Sequence, residues 1–165
     1  MRPVNHHPRT IHRLCHLKDC DSKAAALFSG ALAQTENLKH REKFEEFRCA
    51  HERQARDLAG AIEELAGSAD VNAPAADTPS CDLRNCAGQR ELLQVLAKST
   101  SHTTEQYESV LDSDYPETVD AVIQNGFLDV LRHQAWLESR LHPLPLSTLL
   151  FVPWPLTLLP GIKDG

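Results

Sequence analysis

The chain lacks a basic stripe, a phosphate loop and an uninterrupted apolar run, and each absence removes a class of function. Lysine and arginine number 17 against 23 aspartates and glutamates, a formal net charge of −6. A nucleic-acid binder carries clustered cations that displace counterions from phosphates, so this balance argues against nucleic acid as a partner. No Gly-rich phosphate loop and no G-x-S-x-G elbow occurs, and nothing alternates strand with helix, which leaves a nucleotide enzyme or a serine hydrolase unsupported. Aromatic residues are only 5 %. With the abundant Ala, Leu, Glu and Gln, that scarcity predicts a nearly all-α chain.

The five cysteines, Cys15, Cys20, Cys49, Cys81 and Cys86, include no C-x-x-C pair. An odd number so spaced fits neither a closed disulfide framework nor a zinc finger, and most read as small apolar fillers. Met1 to Arg13 is polar and lacks the apolar stretch of a secretory signal, so a cytoplasmic chain with reduced thiols is expected. Outside a reducing compartment, Cys81 and Cys86 could close a small loop. The most apolar stretch, Leu144 to Ile162, is interrupted by Pro145, Pro153, Pro155 and Pro160. Each proline removes a backbone donor, which argues against a transmembrane span. The stretch reads as an extended tail along the rest of the protein, or as a docking peptide for a partner groove.

What is present is helical periodicity. Thr10 to Gly67 holds no proline, yet one helix there would run roughly 80 Å, too long for a small domain. Gln34-Thr35-Glu36-Asn37 supplies capping residues for a reversal, giving helices at about 10–33 and 37–66. Residues 67–88, rich in Ala, Ser, Asp and Pro, read as a linker. Further helices follow at about 89–111 and 116–141, separated by the turn at Asp112 to Pro116. Each segment carries an apolar stripe at three-and-four spacing. The stripes are Ile11, Leu14, Ala25, Phe28, Leu32; then Phe44, Phe47, Leu58, Ile62, Leu65; then Leu93, Leu96, Tyr107, Val110; then Val119, Ile123, Val130, Leu137, Leu141. The organisation is thus a tail at 1–9, an up-down four-helix bundle at 10–141 made of two helical hairpins joined by a long linker, and a Pro-rich apolar tail at 142–165.

Phe44-Glu-Glu-Phe-Arg-Cys-Ala-His51-Glu-Arg-Gln-Ala-Arg-Asp-Leu58 resembles the second helix of small bacterial ferritin-like proteins. Thr104-Glu-Gln-Tyr107 through Leu111, the Tyr115-Pro116 turn and Val130-Leu-Arg-His133-Gln-Ala-Trp136 resemble their third and fourth helices. The similarity spans roughly Ile11 to Leu141. The nearest group is a ferritin-like domain family without an assigned function, so the resemblance implies fold more than activity. It also implies where to look for metal. Ferritin-like di-iron proteins place a Glu from each of two helices, and Glu-x-x-His from each of the other two, into the bundle interior for iron or manganese.

The inward positions here hold His51 and His133, but Arg48 and Val130 stand where the motif needs glutamate. Asp129, four residues before His133, could share its face, and Asp21 lies on the first helix's stripe. The third helix offers Thr100 and Thr103 instead of a carboxylate, while Glu105 points elsewhere. His51, His133, Asp129 and Asp21 therefore form the candidate set for an altered metal site; the same histidines also read as core residues satisfied by neighbours. A second candidate cluster, His12, His16 and Cys20, recurs at four-residue spacing with Cys15 beside it, a face suited to zinc or copper.

The reading that follows is a ferritin-like bundle without a complete di-iron site, acting through self-association as a homo-oligomer or through a partner. The alternatives are an iron- or manganese-binding oxidoreductase or storage protein, and a cargo or scaffold protein docked by its tail. Pro155 to Lys163 loosely resembles the C-terminal targeting peptides of some ferritin-like cargo proteins.

Overall fold

The computed structural model describes residues 8–67 and 83–143. These form four α-helices, α1 (Pro8–Gln34), α2 (Leu38–Ala66), α3 (Gln89–Leu111) and α4 (Glu117–Leu141), with no strand among the described residues. They assemble as a four-helix bundle. α1 packs against α2 and α3, and α4 packs against the same two, so that α1/α4 and α2/α3 are the diagonals. The Cys81 half of the proposed loop, most of the linker (68–82) and the tail (144–165) fall outside the described residues. No described helix is long and apolar enough to cross a membrane.

Local chemistry sets the helix ends. Asn37 caps α2 by accepting from the His40 amide at 3.2 Å, which offsets one of the donors a helix start leaves unpaired. Arg41 reaches back to the Leu32 and Thr35 carbonyls at 2.7 and 3.2 Å, covering acceptors that the end of α1 would leave open. At Gly67 a φ of 59° ends α2, a left-handed value that glycine adopts without a Cβ clash. α1 begins at Pro8, two residues before the expected Thr10, because proline suits a first helical turn where no amide partner is needed.

The inward stripes hold in register. Every expected core position is buried except Ile11, Leu32 and Leu65, which are half-buried. The interior divides into two apolar clusters. One gathers Leu14, Leu17, Leu58, Ile62, Val119 and Ile123; the other gathers Phe28, Phe44, Phe47, Leu93, Leu96 and Leu137. Fully burying each such side chain stabilises by roughly 1.5 to 3 kcal/mol before entropy is subtracted. Leu83 joins the second cluster although it lies in the segment read as linker. It is buried, and a methyl on Gly30 would sit 3.0 Å from its Cδ1. Residues 83–88 form no helix or strand, as a linker would, but Leu83 and Cys86 pack on the core while residues 84, 85, 87 and 88 are exposed.

Gly126 in α4 marks the tightest approach. A Cβ built there would overlap the Tyr107 hydroxyl and lie 2.6 and 2.7 Å from ring carbons Cε1 and Cζ. The ring is fully buried and hydrogen-bonded, so it has nowhere to swing. Gly126→Ala should lower stability by about 1 to 3 kcal/mol in urea unfolding, in spite of alanine's better helix propensity. Gly60→Ala, with no atom within 4 Å of the added carbon, should instead raise it by up to about 1 kcal/mol. Equal responses at the two sites would contradict this packing.

Candidate functional site

Between the two apolar clusters the bundle turns polar. Asp21, His51, Gln54, Thr100, Thr103, Thr104 and His133 are all buried, and they come from all four helices. Such a layer costs desolvation free energy unless its groups bond one another. Asp21 anchors it. Its Oδ1 lies 2.7 Å from His51 Nδ1, which donates to the carboxylate, and its Oδ2 accepts from the Tyr107 hydroxyl, also at 2.7 Å. Asp21, His51 and Tyr107 are each 0 % exposed. Burial, then the adjacent Asp21 charge, pushes the Tyr107 phenol far above its ordinary pKa, so it stays a donor at every accessible pH.

His51 is flanked by Phe28, stacked at 5.7 Å between ring centroids, and by His133, edge-on at 5.1 Å. His133 leans on Phe47 at 4.0 Å. Burial drives the His133 pKa down to about 3, helped by His51 and by the cations Arg53, Lys43 and Arg132, so His133 is neutral near pH 7. Two imidazole nitrogens, His51 Nε2 and His133 Nδ1, are buried without a hydrogen-bond partner, as are Gln54 Oε1 and Thr100 Oγ1. Thr104 is better served: it donates to the Gln134 side-chain oxygen at 2.9 Å.

The structure thus brings together three of the four candidate residues, Asp21, His51 and His133. Asp129 goes elsewhere. Its carboxylate faces the outer side of the α2/α4 contact, where it accepts from Arg53 at 2.9 Å, Arg132 at 2.8 Å and Gln54 at 3.3 Å. In the second cluster, His16 Nδ1 lies 3.6 Å from Cys20 Sγ, but His12 is exposed while Cys20 is 2 % exposed. Among the described residues no three His, Cys, Asp or Glu side chains are placed to hold a metal ion.

A di-iron centre of the ferritin-like kind needs several interior carboxylates. Asp21 is the one buried acid among the described residues, and both its oxygens already accept from protein donors. That donor set does not fit two irons.

No family model, curated protein or solved structure matches the chain.

The site therefore has to be read from its own geometry. Tyr107 is the partner that sequence reasoning missed: it was assigned to the core stripe, and the signal was a phenol at an inward position opposite an inward carboxylate. An Asp–His pair can serve as a base when substrate reaches the imidazole. Here the cavity between α2 and α4 is lined by His133 and by neither His51 nor Asp21. The two bonds of Asp21 tie α1 to α2 through His51 and to α3 through Tyr107.

Proposed function

We propose that this chain is a ferritin-like four-helix bundle that works by associating, with a second copy of itself first, and that its interior carries a structural Asp–His–Tyr lock instead of a di-iron centre. The single observation behind the second part is the saturation of Asp21: both oxygens of the interior carboxylate are taken by His51 and Tyr107. A di-iron centre would need those oxygens free.

The ferritin-like connectivity is supported by which residues meet. Phe28 meets Phe44 while Asp21 meets His51, so the numbering rises along α1 as it falls along α2. Thr35 with Gln89 and Asp21 with Tyr107 give the same sense for α1 and α3, and Phe47 with His133 and Glu64 with Thr118 give it for α2 and α4. The end of α2 then lies by the start of α4, and the start of α3 by the end of α1. Two antiparallel hairpins joined by one lengthwise crossover satisfy these pairs, with α2 and α3 running the same way; they support the ferritin-like arrangement in place of the simple up-down order expected from the sequence.

Association is supported by the outer face of α4. Leu128 and Leu131 are 49 % and 37 % exposed, and Ala135 continues the stripe four residues on. Leucines at this spacing on a water-facing helix lose free energy until covered, and a second copy brings the same stripe to a two-fold contact. Light scattering coupled to gel filtration tests this. A dimer is expected for the natural chain and a monomer for Leu128→Asp with Leu131→Asp, with helix content unchanged. A monomeric natural chain, or a dimer that tolerates both aspartates, would remove the self-association reading.

One observation favours a second reading. His51 Nε2 and His133 Nδ1 are neighbouring, buried and unpartnered, and His51 Nδ1 is fixed by a carboxylate in the way that orients metal-binding histidines. A single ion held by those two nitrogens and non-protein ligands would make the chain an altered ferritin-like metal binder for iron or manganese.

A further inference from the structure

A cavity of about 400 Å³ opens between α2 and α4, on the outer side of the polar layer, and its walls divide by chemistry. Phe47 and Trp136 supply apolar surface, with ring centroids 5.6 Å apart and planes near perpendicular. His133 closes part of the wall; it is 4 % exposed, and its Nδ1 lacks any partner. The remaining wall is charged. Arg53 and Arg132 each bond one oxygen of the same carboxylate, Asp129, while Lys43 pairs with Glu46 at 2.6 Å. Three cations thus face two carboxylates, leaving a positive excess on a chain whose formal charge is −6.

Each guanidinium has five N–H donors and spends few of them on Asp129, so donors remain for a ligand anion. The apolar walls are large enough for a ring system, and a volume of this size is within the usual range of a small-molecule site. We propose that the α2/α4 cavity binds a small organic monoanion: an aromatic or apolar body against Phe47 and Trp136, with one carboxylate held by Arg53 and Arg132. The site is distinct from the Asp21 lock and stands whether or not the chain associates.

The probe is 1-naphthoate, titrated into the full chain and followed by proton–nitrogen NMR, beside neutral 1-naphthalenemethanol and inorganic phosphate. Saturable shifts are expected at Phe47, Arg53, Arg132 and the Trp136 indole for naphthoate, with the alcohol at least tenfold weaker and phosphate weaker still. Arg53→Gln with Arg132→Gln should weaken naphthoate at least tenfold at an unchanged melting temperature, since both side chains are largely exposed. Asp129→Asn should strengthen binding several-fold, because it releases both guanidiniums and removes a like charge. Equal affinity for acid and alcohol, phosphate binding as tightly as naphthoate, or shifts outside these residues would overturn the proposal. So would an Asp129→Asn variant that weakens binding as the arginine variants do, because the three residues would then serve only one another.

Discussion

Asp21→Ala is expected to cost about 3 to 5 kcal/mol of unfolding free energy, the largest single loss in this bundle. The change removes one acceptor group and strands two donors, His51 Nδ1–H and the Tyr107 hydroxyl, both at 0 % exposure. Each buried donor left unpaired costs about 1 to 3 kcal/mol. A domain of this size has roughly 5 to 15 kcal/mol in total, so the variant should sit near the edge of folding. Asp21→Asn should lose less, since its amide oxygen still accepts from one partner. Tyr107→Phe should lose about 1 to 2 kcal/mol, because it removes a donor and leaves Asp21 one bond. Urea unfolding followed by circular dichroism ranks the three. An alanine variant within 1 kcal/mol of the natural chain would mean the polar layer stabilises little and is retained for another reason.

Acidification should destabilise the bundle through His133. Burial holds its folded pKa near 3, against about 6.5 in the unfolded chain, so between those values the unfolded state takes up a proton that the folded state refuses. The unfolded state binds more protons throughout that window, hence stability falls as pH falls from about 6.5 toward 3 and is untouched above it. At its steepest the slope is about 1.4 kcal/mol per pH unit. His133→Phe keeps a ring against Phe47 and carries no proton, so its melting temperature should fall less between pH 7 and pH 4.5. Titratable groups elsewhere affect both proteins alike. Parallel acid curves for the two would show that His133 gains a proton without unfolding the chain.

Both expectations rest on side chains whose burial was legible before any fold was known. Asp21, His51 and His133 fall on inward stripes that also contain Phe28, Phe44 and Val130, and a 3.6-residue period places them inside regardless of their polarity. The helix ends were legible for equally local reasons: Asn37 is a strong cap, and Gly67 and Pro116 punctuate the chain. What could not be read was decided across helices. Asp129 stands four residues before His133 and so near its face, but Arg53 on a neighbouring helix draws its carboxylate to the surface. Tyr107's hydroxyl needed an acceptor, and only the packing of α1 on α3 shows that it is Asp21. Gly126 carried no signal in the sequence; its reason is the ring of Tyr107, which occupies the space a Cβ would take. Leu83 gave no periodic signal because its neighbours carry none.

The missing glutamates at positions 48 and 130 were also visible in the sequence, and the structure adds why no other acid replaces them. The polar layer is filled by a carboxylate bonded on both oxygens and by three threonines, of which Thr103 donates to a carbonyl of its own helix and Thr104 to Gln134. Little of the donor chemistry that a pair of metal ions requires is left over.

Metal content tests that account most directly. Untagged protein would be loaded with iron or manganese, desalted and assayed by mass spectrometry beside the His51→Ala, His133→Ala double variant. The account predicts a negligible and equal metal content in both; one or two ions per chain, lost in the double variant, would contradict it and make the two unpartnered imidazoles a metal site.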